Sequence, residues 1–338
     1  MEVREAACFY YSLNQMQYLG EIISLGVACS WTIAALSSEV GSRHLGVFVM
    51  NVWRMGLALL FSCLLMWVAT GHPLPVHADA RAWGWLLASG VVGYFFGDWC
   101  LFNSYLTIGS RTGQLFMTLA PAFAAVFAFL LLHQTLGWHS IFAIIVTLTG
   151  IAVSVFEPTS KLNTSNSSSH ASHPSLHLAL PRKGVLFGLG AGLGQGLGLV
   201  LSKIGLDYYT AAVPSAELPF IEGFLPFGAN LIRCMAGLVC FSLWLIVRGE
   251  GSGMRRSLHD RRGLLAMLIA VFSGPFVGVG FSLMAVQYTA AGIASTLMAL
   301  TPILILIPSR YLFGQPITVR SVVGAVISCI GVSLFFLL

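Results

Sequence analysis

Long apolar runs separated by short polar stretches dominate the pattern along the chain. A helix needs about 20 mainly apolar residues to cross the hydrocarbon layer of a bilayer. The runs do not alternate between apolar and polar positions, as 141–156 (IFAIIVTLTGIAVSVF) illustrates, so a transmembrane barrel is not predicted. The pattern predicts an all-α integral membrane protein with ten transmembrane helices, here segments one to ten, near 21–38, 48–70, 84–106, 114–132, 138–156, 184–203, 226–247, 263–287, 291–309 and 319–338.

Composition supports a membrane protein and excludes an ordinary soluble domain. Of the 338 residues, 57% are hydrophobic and only 9% are charged, whereas a soluble domain has about 25% charged residues. The net charge of +5 is spread between apolar runs, so no nucleic-acid partner is predicted. The expected partner is the lipid bilayer, and we expect a multi-pass protein of the cell (inner) membrane.

A polar linker divides the chain into two halves. After a polar N-terminal tail (1–19), the first half covers residues 20–156 and the second half covers residues 184–338, with the linker at 157–183. The linker is rich in Ser, Asn and His, residues that cannot bury much surface. Solvation explains its histidines better than metal binding does, so no metal site is predicted at His170, His173 and His177.

The two halves repeat one another. Residues 94–156 align with residues 275–337 without a gap, at a constant offset of 181 positions and with nine identities. The motif N-x-x-R also recurs, as Asn51/Arg54 and Asn230/Arg233. Because five helices per half is an odd number, the second copy must cross the bilayer inverted, which is a design associated with alternating access. The identical pairs are Phe95/Phe276, Gly97/Gly278, Met117/Met298, Leu119/Leu300, Pro121/Pro302, Leu131/Leu312, Gln134/Gln315, Ser140/Ser321 and Gly150/Gly331.

These paired motifs resemble the drug/metabolite transporter superfamily, specifically proteins with two EamA domains. The resemblance covers most of both halves and rests on the repeated N-x-x-R, on Pro121 and Pro302 in the LAP and LTP motifs, and on glycines late in segments five and ten. It implies a secondary transporter without a cofactor. Similar proteins usually have a Glu after segments four and nine, where this chain has Gln134 and Gln315.

Two criteria disagree on orientation in the membrane. The resemblance implies that both termini lie in the cytoplasm. The positive-inside rule predicts the opposite, because most Lys and Arg residues lie in the loops that would then face outward. The opposite loops and the N-terminal tail contain only Arg4 and Arg81. The sequence therefore leaves the orientation open.

Asp98 is the leading candidate for substrate or proton binding. An ionisable group inside a membrane helix costs at least about 2.5 kcal/mol on insertion scales, so it needs a partner or a purpose. We expect Asp98, Arg54 and Glu39 to form one cluster, with Arg233, Lys203 and Glu222 as its inverted counterpart. Val279 occupies the position equivalent to Asp98, and this asymmetry favours Asp98 for coupling or substrate contact. The alternative is a structural ion pair between Asp98 and Arg54.

Other polar and aromatic side chains are weaker candidates. Asn103, Gln114, Gln195 and Gln287 could bind a solute or bond across helices. Pro121 and Pro302 are expected to bend segments four and nine and to act as hinges. Glycines of segment six form two G-x-x-x-G rows suited to close helix packing. The aromatic residues of segment three could line a cavity, although lipid contact is the favoured interpretation: Tyr94, Phe95, Phe96, Trp99, Phe102 and Tyr105.

The function that these features predict is secondary-active transport of a small metabolite, such as an amino acid, a derivative of one or a drug-like solute. No ATP-binding motif is present, so an ion or solute gradient would drive transport. A lipid or lipid-linked-sugar flippase is the alternative. A membrane-embedded enzyme is disfavoured, because no nucleophile–base or metal constellation stands out. The oligomeric state stays open between monomer and homodimer.

Overall fold

The computed structural model describes residues 18–133, 135, 137–158, 176–178, 180–289 and 291–337. Its first half is built almost entirely from helices. A π-helical segment, Gly90–Gly97, joins the third helix to the fourth. The helices are α1 (Leu19–Leu45), α2 (Val47–Thr70), α3 (Ala80–Ser89), α4 (Asp98–Met117), α5 (Ala120–Leu132) and α6 (Trp138–Val155).

The second half repeats this order. A second π-helical segment, Phe272–Gly278, lies between α11 and α12, and a 3-10 turn at Glu222–Phe224 precedes α9. The helices are α7 (Arg182–Ala212), α8 (Leu218–Ile221), α9 (Leu225–Val247), α10 (Gly251–Ser257), α11 (Arg261–Val271), α12 (Val279–Tyr288), α13 (Ala291–Met298), α14 (Thr301–Leu304), α15 (Leu306–Phe313) and α16 (Val319–Leu337).

The prediction of an all-α membrane protein is confirmed. In the part of the chain that the structure describes, eight helical stretches are long and apolar enough to cross a membrane. Two further apolar helices, Ala120–Leu132 and Val319–Phe335, are shorter. The count of ten membrane crossings and the inverted orientation of the second half stay predictions.

A short β-ladder lies at the ends of the predicted linker. Strand β1 (Phe156–Pro158) pairs antiparallel with β2 (Leu176–Leu178), with Glu157 opposite His177. Residues 159–175, which include the linker histidines His170 and His173, lie outside the described residues. The ladder brings the end of the first half close to the start of the second.

Equivalent helices of the two halves contain the same irregularities. Both π segments end at paired glycines, Gly97 and Gly278. In the first half the chain also breaks at Gly109, whose φ of 81° lies in the left-handed region that favours glycine. The part of α4 before Gly109 therefore belongs to predicted segment three. The part from Ser110 onward is a separate helix, although the label α4 covers both parts. π segments inside helices are frequent at functional sites.

The two prolines that are predicted to bend segments four and nine each follow an irregular helical turn. Turns at residues 118–119 and 299–300 interrupt the helices, and Pro121 and Pro302 occupy the first turn of α5 and of α14. Proline fits that position because the first N–H groups of a helix have no intrahelical acceptor. The backbone at Thr118, Leu119 and Leu300 stays in the right-handed helical region, so the chain continues through an irregular helical turn at equivalent places in the two halves.

The two halves interlock through their first helices. Helix α1 packs against α11, α12 and α13 of the second half, and α7 packs against α3, α4 and α5 of the first half. Equivalent helices also meet directly, as α2 packs on α9 and α6 packs on α16. The core is therefore shared between the halves.

Both glycine rows of α7 make close helix contacts. A Cβ at Gly194 would lie 2.7 Å from Gly97 Cα, and a Cβ at Gly198 would lie 2.7 Å from Gly93 Cα. The Ser89 hydroxyl donates to the Gly198 carbonyl oxygen at 2.6 Å. The other row, Gly188, Gly192 and Gly196, packs against the end of α4 and the start of α5. The predicted role of these glycines in close packing is confirmed.

Candidate functional site

A central cavity of about 440 Å³ lies between the two halves. Helices α1, α4, α5, α13, α14 and α16 form its walls, and α2 contributes Arg54. Pro121 and Pro302 both line it, so the two equivalent irregular turns border the same space. Arg54 is the charged side chain among the described lining residues. Its volume is in the range of small-molecule sites, about 300–1,000 Å³.

Arg54 is held in place by neighbours on three sides. Its Nη2 donates to Asp98 Oδ2 in a salt bridge, and its Nε donates to Asn51 Oδ1 at 3.3 Å. The guanidinium carbon lies 5.0 Å from the centre of the Phe102 ring. Asn51 is itself fixed, because its Nδ2 donates to the Val47 carbonyl oxygen at 2.9 Å. The N-x-x-R motif thus places the amide one helical turn before the guanidinium that it orients.

Asp98 lies behind Arg54, away from the cavity surface. It is the first residue of α4, directly after the π segment, and is 3% exposed. Besides Arg54, its carboxylate accepts a hydrogen bond at Oδ1 from Gln195 Nε2 at 2.8 Å. Gln195 Nε2 also donates to the Gly93 carbonyl oxygen at 3.2 Å. The close approach of α7 to the π segment brings Gln195 to this carboxylate.

Arg233, the repeat partner of Arg54, lies beside the same cluster, because a Cβ at Gly93 would lie 3.3 Å from its Nη2 and the Gly93 carbonyl oxygen accepts from Gln195. Its guanidinium carbon lies 4.4 Å from the centre of the Tyr94 ring, and the Tyr94 hydroxyl donates to Asn230 Oδ1. Its Nε is buried without a hydrogen-bond partner among the described residues. The cluster therefore holds two guanidinium groups and one carboxylate, Asp98.

Glu39 does not join this cluster, contrary to the prediction. Its Oε1 accepts from Arg43, at 2.6 Å from Nη2 and 3.1 Å from Nε, and its Oε2 accepts from the Ser110 backbone N–H at 2.6 Å. Ser110 is the first residue after the break at Gly109. A carboxylate is favourable there because the first N–H groups of a helix lack partners and carry partial positive charge.

The predicted inverted counterpart does not form as a cluster. Lys203 is exposed and pairs with Asp207 at 3.3 Å, one turn further along α7. Glu222 lies in the 3-10 turn before α9. Arg233 instead packs beside the Asp98 site. The physical reason is the interlocked packing, which brings α9 and α7 against the π segment of the first half.

The remaining predicted residues divide into three groups. Gln114 lines the cavity, and its Nε2 donates to the Tyr105 hydroxyl at 2.6 Å. Asn103 Nδ2 donates to the Trp99 carbonyl oxygen of its own helix at 2.7 Å, and Asn103 does not line the cavity. The side chain of Gln287 and the whole of Gln134 lie outside the described residues.

The favoured interpretation of the segment-three aromatics is wrong for three of them. Phe102 and Tyr105 are buried and line the cavity, and Tyr94 packs under Arg233. Phe96 is exposed, as expected of a lipid-facing residue. One available signal was missed: Asp98, Phe102 and Tyr105 follow at spacings of four and three residues, which places them on one helix face.

A second cavity of about 320 Å³ lies further along the same face of α2. Its walls come from α2, α9, the second π segment and α12, and they are mostly apolar. Among its described lining residues, Ser62 and Asn230 carry polar side chains. Asn230 links it to the cluster through Tyr94.

The apolar helices, which enclose a cavity beside a buried ion pair, define a multi-pass integral membrane protein. The EamA-like transporter family matches this chain twice, over residues 18–156 and 182–337. The chain belongs to this family.

Two known proteins to which this chain is similar share a low sequence identity with it. The Uncharacterized transporter YoaV of Bacillus subtilis (strain 168) is 23% identical over 147 residues, which are 43% of this chain and 49% of YoaV. The match thus spans about half of the length of that curated relative. A solved structure described as "Crystal structure of protein" has a TM-score of 0.51 at 15% identity, covering 94% of this chain and 96% of that one. That likeness supports the overall fold alone.

Proposed function

We propose that this chain is a secondary-active transporter that moves a small metabolite through the central cavity by alternating access, in the cell (inner) membrane. The observation that carries the proposal is the 440 Å³ cavity, which both halves line and which the irregular turns before Pro121 and Pro302 border. A solute bound there contacts both repeats, so a rocking of one repeat against the other would change the side from which the solute is reached.

Contacts at one end of the cavity support a closed gate in this conformation. Glu39 joins α1 to the helix that begins at Ser110. Arg111 Nη1 donates to the Pro316 carbonyl oxygen at 2.8 Å, and the Arg43 guanidinium carbon lies 5.4 Å from the centre of the Phe313 ring. These three contacts join α1, α4, the end of α15 and the loop that follows it. Opening this end would require them to separate.

Asp98 is the proposed coupling residue. It is the carboxylate of a buried cluster that otherwise contains Arg54 and Arg233, and Arg54 extends from it to the cavity surface. Proton or ion binding at Asp98 would release Arg54 toward the solute, and solute binding at Arg54 would release Asp98. This reciprocity is the linkage that coupled transport needs.

Counterflow in proteoliposomes tests the function. Purified protein is reconstituted, and labelled amino acids, amines, organic acids, nucleosides and sugars are screened with and without an imposed proton gradient. We expect one solute class to accumulate and the gradient to change its accumulation. If no solute moves in either orientation of the protein, the metabolite carrier is wrong, and flipping of a fluorescent lipid would then support the flippase alternative.

A further inference from the structure

We propose that the solute is a small organic monoanion with an aromatic or branched apolar body, recognised by Arg54 through its anionic group. This inference rests on the proposed function and narrows its substrate class. It separates organic acids from zwitterionic amino acids and from amines, all of which are compatible with a generic metabolite carrier. The charges, hydrogen bonds and lining of the central cavity carry it.

The cavity presents a positive group with donor capacity to spare. Two nitrogens of Arg54 are engaged, Nη2 by Asp98 and Nε by Asn51. Its Nη1 has no protein acceptor among the described residues. A guanidinium presents its donors in a planar fork that matches a carboxylate bidentately. A solute carboxylate would therefore complete the hydrogen bonding of Arg54.

The cavity lacks a matching group for an amine. No carboxylate is present among its described lining residues. The nearby Asp98 is 3% exposed, and both of its oxygens are engaged, one by Arg54 and the other by Gln195. Burial of an ammonium group without an anionic partner is strongly unfavourable. A cation or a zwitterion would therefore pay a desolvation cost that a monoanion avoids.

Arg233 adds a second positive charge to the surroundings. With Arg54 and Asp98 it gives the buried cluster a formal charge of +1, because two guanidinium groups face one carboxylate. Its buried Nε has no hydrogen-bond partner in the described part of the chain. Charges act over longer distances in a medium of low dielectric constant. An anion at Arg54 would bring the whole cluster to neutrality.

The rest of the lining selects the body of the solute. Large apolar side chains dominate it, and hydroxyl and amide groups occupy a minority of positions. Aromatic rings prefer stacked or edge-to-face contacts with one another, which a solute ring can satisfy here. The large lining side chains are Trp31, Leu101, Phe102, Tyr105, Met117 and Met298.

Four compounds with one phenyl skeleton test the inference by equilibrium binding to the purified protein. They are 3-phenylpropionate (anion), phenylalanine (zwitterion), 2-phenylethylamine (cation) and 3-phenylpropanamide (neutral). Binding in detergent avoids the leakage of the acid and the amine through liposomes. We expect the anion to bind at least about 10-fold more tightly than each of the others. Tighter binding of phenylalanine or of the amine, or no binding of any of the four, overturns the inference.

Variants at Arg54 connect the preference to the residue. Arg54→Gln is expected to weaken binding of the anion by at least about 10-fold and to leave binding of the amide within about twofold, and Arg54→Lys is expected to restore part of the loss. Because Arg54→Gln leaves Asp98 unpaired, the double variant with Asp98→Asn provides a folded comparison. An unchanged anion preference in both contradicts the inference. A solute of another class that moves in counterflow would refute it while leaving the proposed function intact.

Discussion

At the scale of single residues, the Arg54–Asp98 salt bridge is the buried ion pair of the site. Each charge would be costly in a membrane helix on its own. Arg54 and Asp98 pair with each other, and each has a further hydrogen bond, Arg54 to Asn51 and Asp98 to Gln195. These contacts offset the cost of placing the two charges inside the helix bundle. Removing one partner of a buried pair leaves the other uncompensated, which typically costs about 3–5 kcal/mol. Substitutions must therefore separate loss of charge from loss of hydrogen bonding.

Asp98→Asn is expected to abolish gradient-driven transport while the protein still folds. The amide oxygen can accept from Arg54 as the carboxylate does, but the side chain no longer takes up a proton. Asp98→Leu removes both functions and should also destabilise the fold by about 3–5 kcal/mol. Counterflow with a pH gradient and thermal unfolding in detergent measure the two effects. Retained transport with an unaltered pH dependence would show that the pair is structural.

Asp260 controls a pH-dependent contact outside the membrane-spanning helices. Its Oδ1 accepts from the Gly263 backbone N–H at 3.0 Å and its Oδ2 lies 3.0 Å from His44 Nδ1. These contacts, the Gly263 bond first, hold the pKa of the Asp260 carboxyl below its usual range. Because folding lowers the pKa of Asp260, the ionised carboxylate stabilises the fold at pH values above its unfolded-state pKa. This stabilisation is lost as the pH falls through the folded-state pKa.

Two variants of Asp260 therefore differ in their pH response. Asp260→Ala is expected to lower Tm at pH 7, because α11 loses its N-cap. Asp260→Asn keeps a side-chain oxygen that can cap α11, so its Tm at pH 7 should fall less than that of Asp260→Ala. On acidification from pH 7 to pH 3, the Tm of Asp260→Asn should drop less than the Tm of the native protein. Thermal unfolding at pH 7 and pH 3 measures both. Equal Tm values for all three proteins at pH 7 would contradict a capping role.

At the scale of helices, the contact between α7 and the first π segment sets the position of Gln195. A Cβ at Gly194 would lie 2.7 Å from Gly97 Cα, whereas a Cβ at Gly26 of α1 would meet nothing within 4 Å. Gly194→Ala is therefore expected to destabilise the protein by about 1–3 kcal/mol, as overpacking does. Gly26→Ala should be neutral or stabilise by up to about 1 kcal/mol, because alanine favours helix.

Denaturant unfolding of these two variants provides a matched test with opposite expected signs. Transport adds a second readout, since displacement of α7 would also remove the Gln195 hydrogen bond from Asp98. Equal stability of Gly194→Ala and Gly26→Ala would mean that α7 is not tightly packed against the π segment.

The proposed gate depends on the helix start at Ser110. Glu39→Ala removes the acceptor of the Ser110 N–H and is expected to speed amide hydrogen exchange there by about 10-fold or more, since hydrogen bonds to charged groups contribute about 1.5–3 kcal/mol. Glu39→Gln keeps an acceptor without the charge and should have a smaller effect. Lys203→Ala is the control, because S-K-I-G at 202–205 matches S-E-V-G at 38–41 and places Lys203 at the position equivalent to Glu39, and it should leave this peptide unchanged. Exchange unaltered in Glu39→Ala would remove Glu39 from the gate.

Helix existence was predictable from the apolar runs and the irregular turns beside Pro121 and Pro302 from the prolines, but the π segments and the break at Gly109 were not. Hydropathy reports the length of an apolar stretch and is insensitive to a π turn or to a glycine at positive φ. The pairing of Asp98 with Arg54 was predictable, because isolated charges in a membrane helix are costly. The hydrogen bond between Glu39 and the Ser110 N–H was not predictable. That bond depends on a backbone N–H freed by the break at Gly109. Arg233 was assigned to a separate cluster with Lys203 and Glu222, whereas it lies beside the Asp98 site. Its position depends on the packing of one half against the other, which local sequence patterns do not report.

At the scale of the whole molecule, each buried apolar cluster of the described residues takes side chains from both halves. Helix α1 packs on helices of the second half and α7 on helices of the first, while α2 meets α9 and α6 meets α16. The central cavity likewise takes its walls from both halves. Either half alone would expose the small-residue and polar surfaces that its partner now covers, which lipid cannot satisfy.

The chain cut within 159–175 is therefore expected to assemble when both halves are produced together and to fail when either is produced alone. A tag on residues 1–158 should co-purify residues 176–338, and the reconstituted pair should retain transport, because the cut leaves every described helix intact. The single halves should be degraded or aggregate.

Cysteines placed after α1 and after α7 should be labelled from opposite sides of the membrane if the second half is inverted. A single half that purifies as a stable, monodisperse protein would contradict the shared core, and labelling from one side would contradict the inversion.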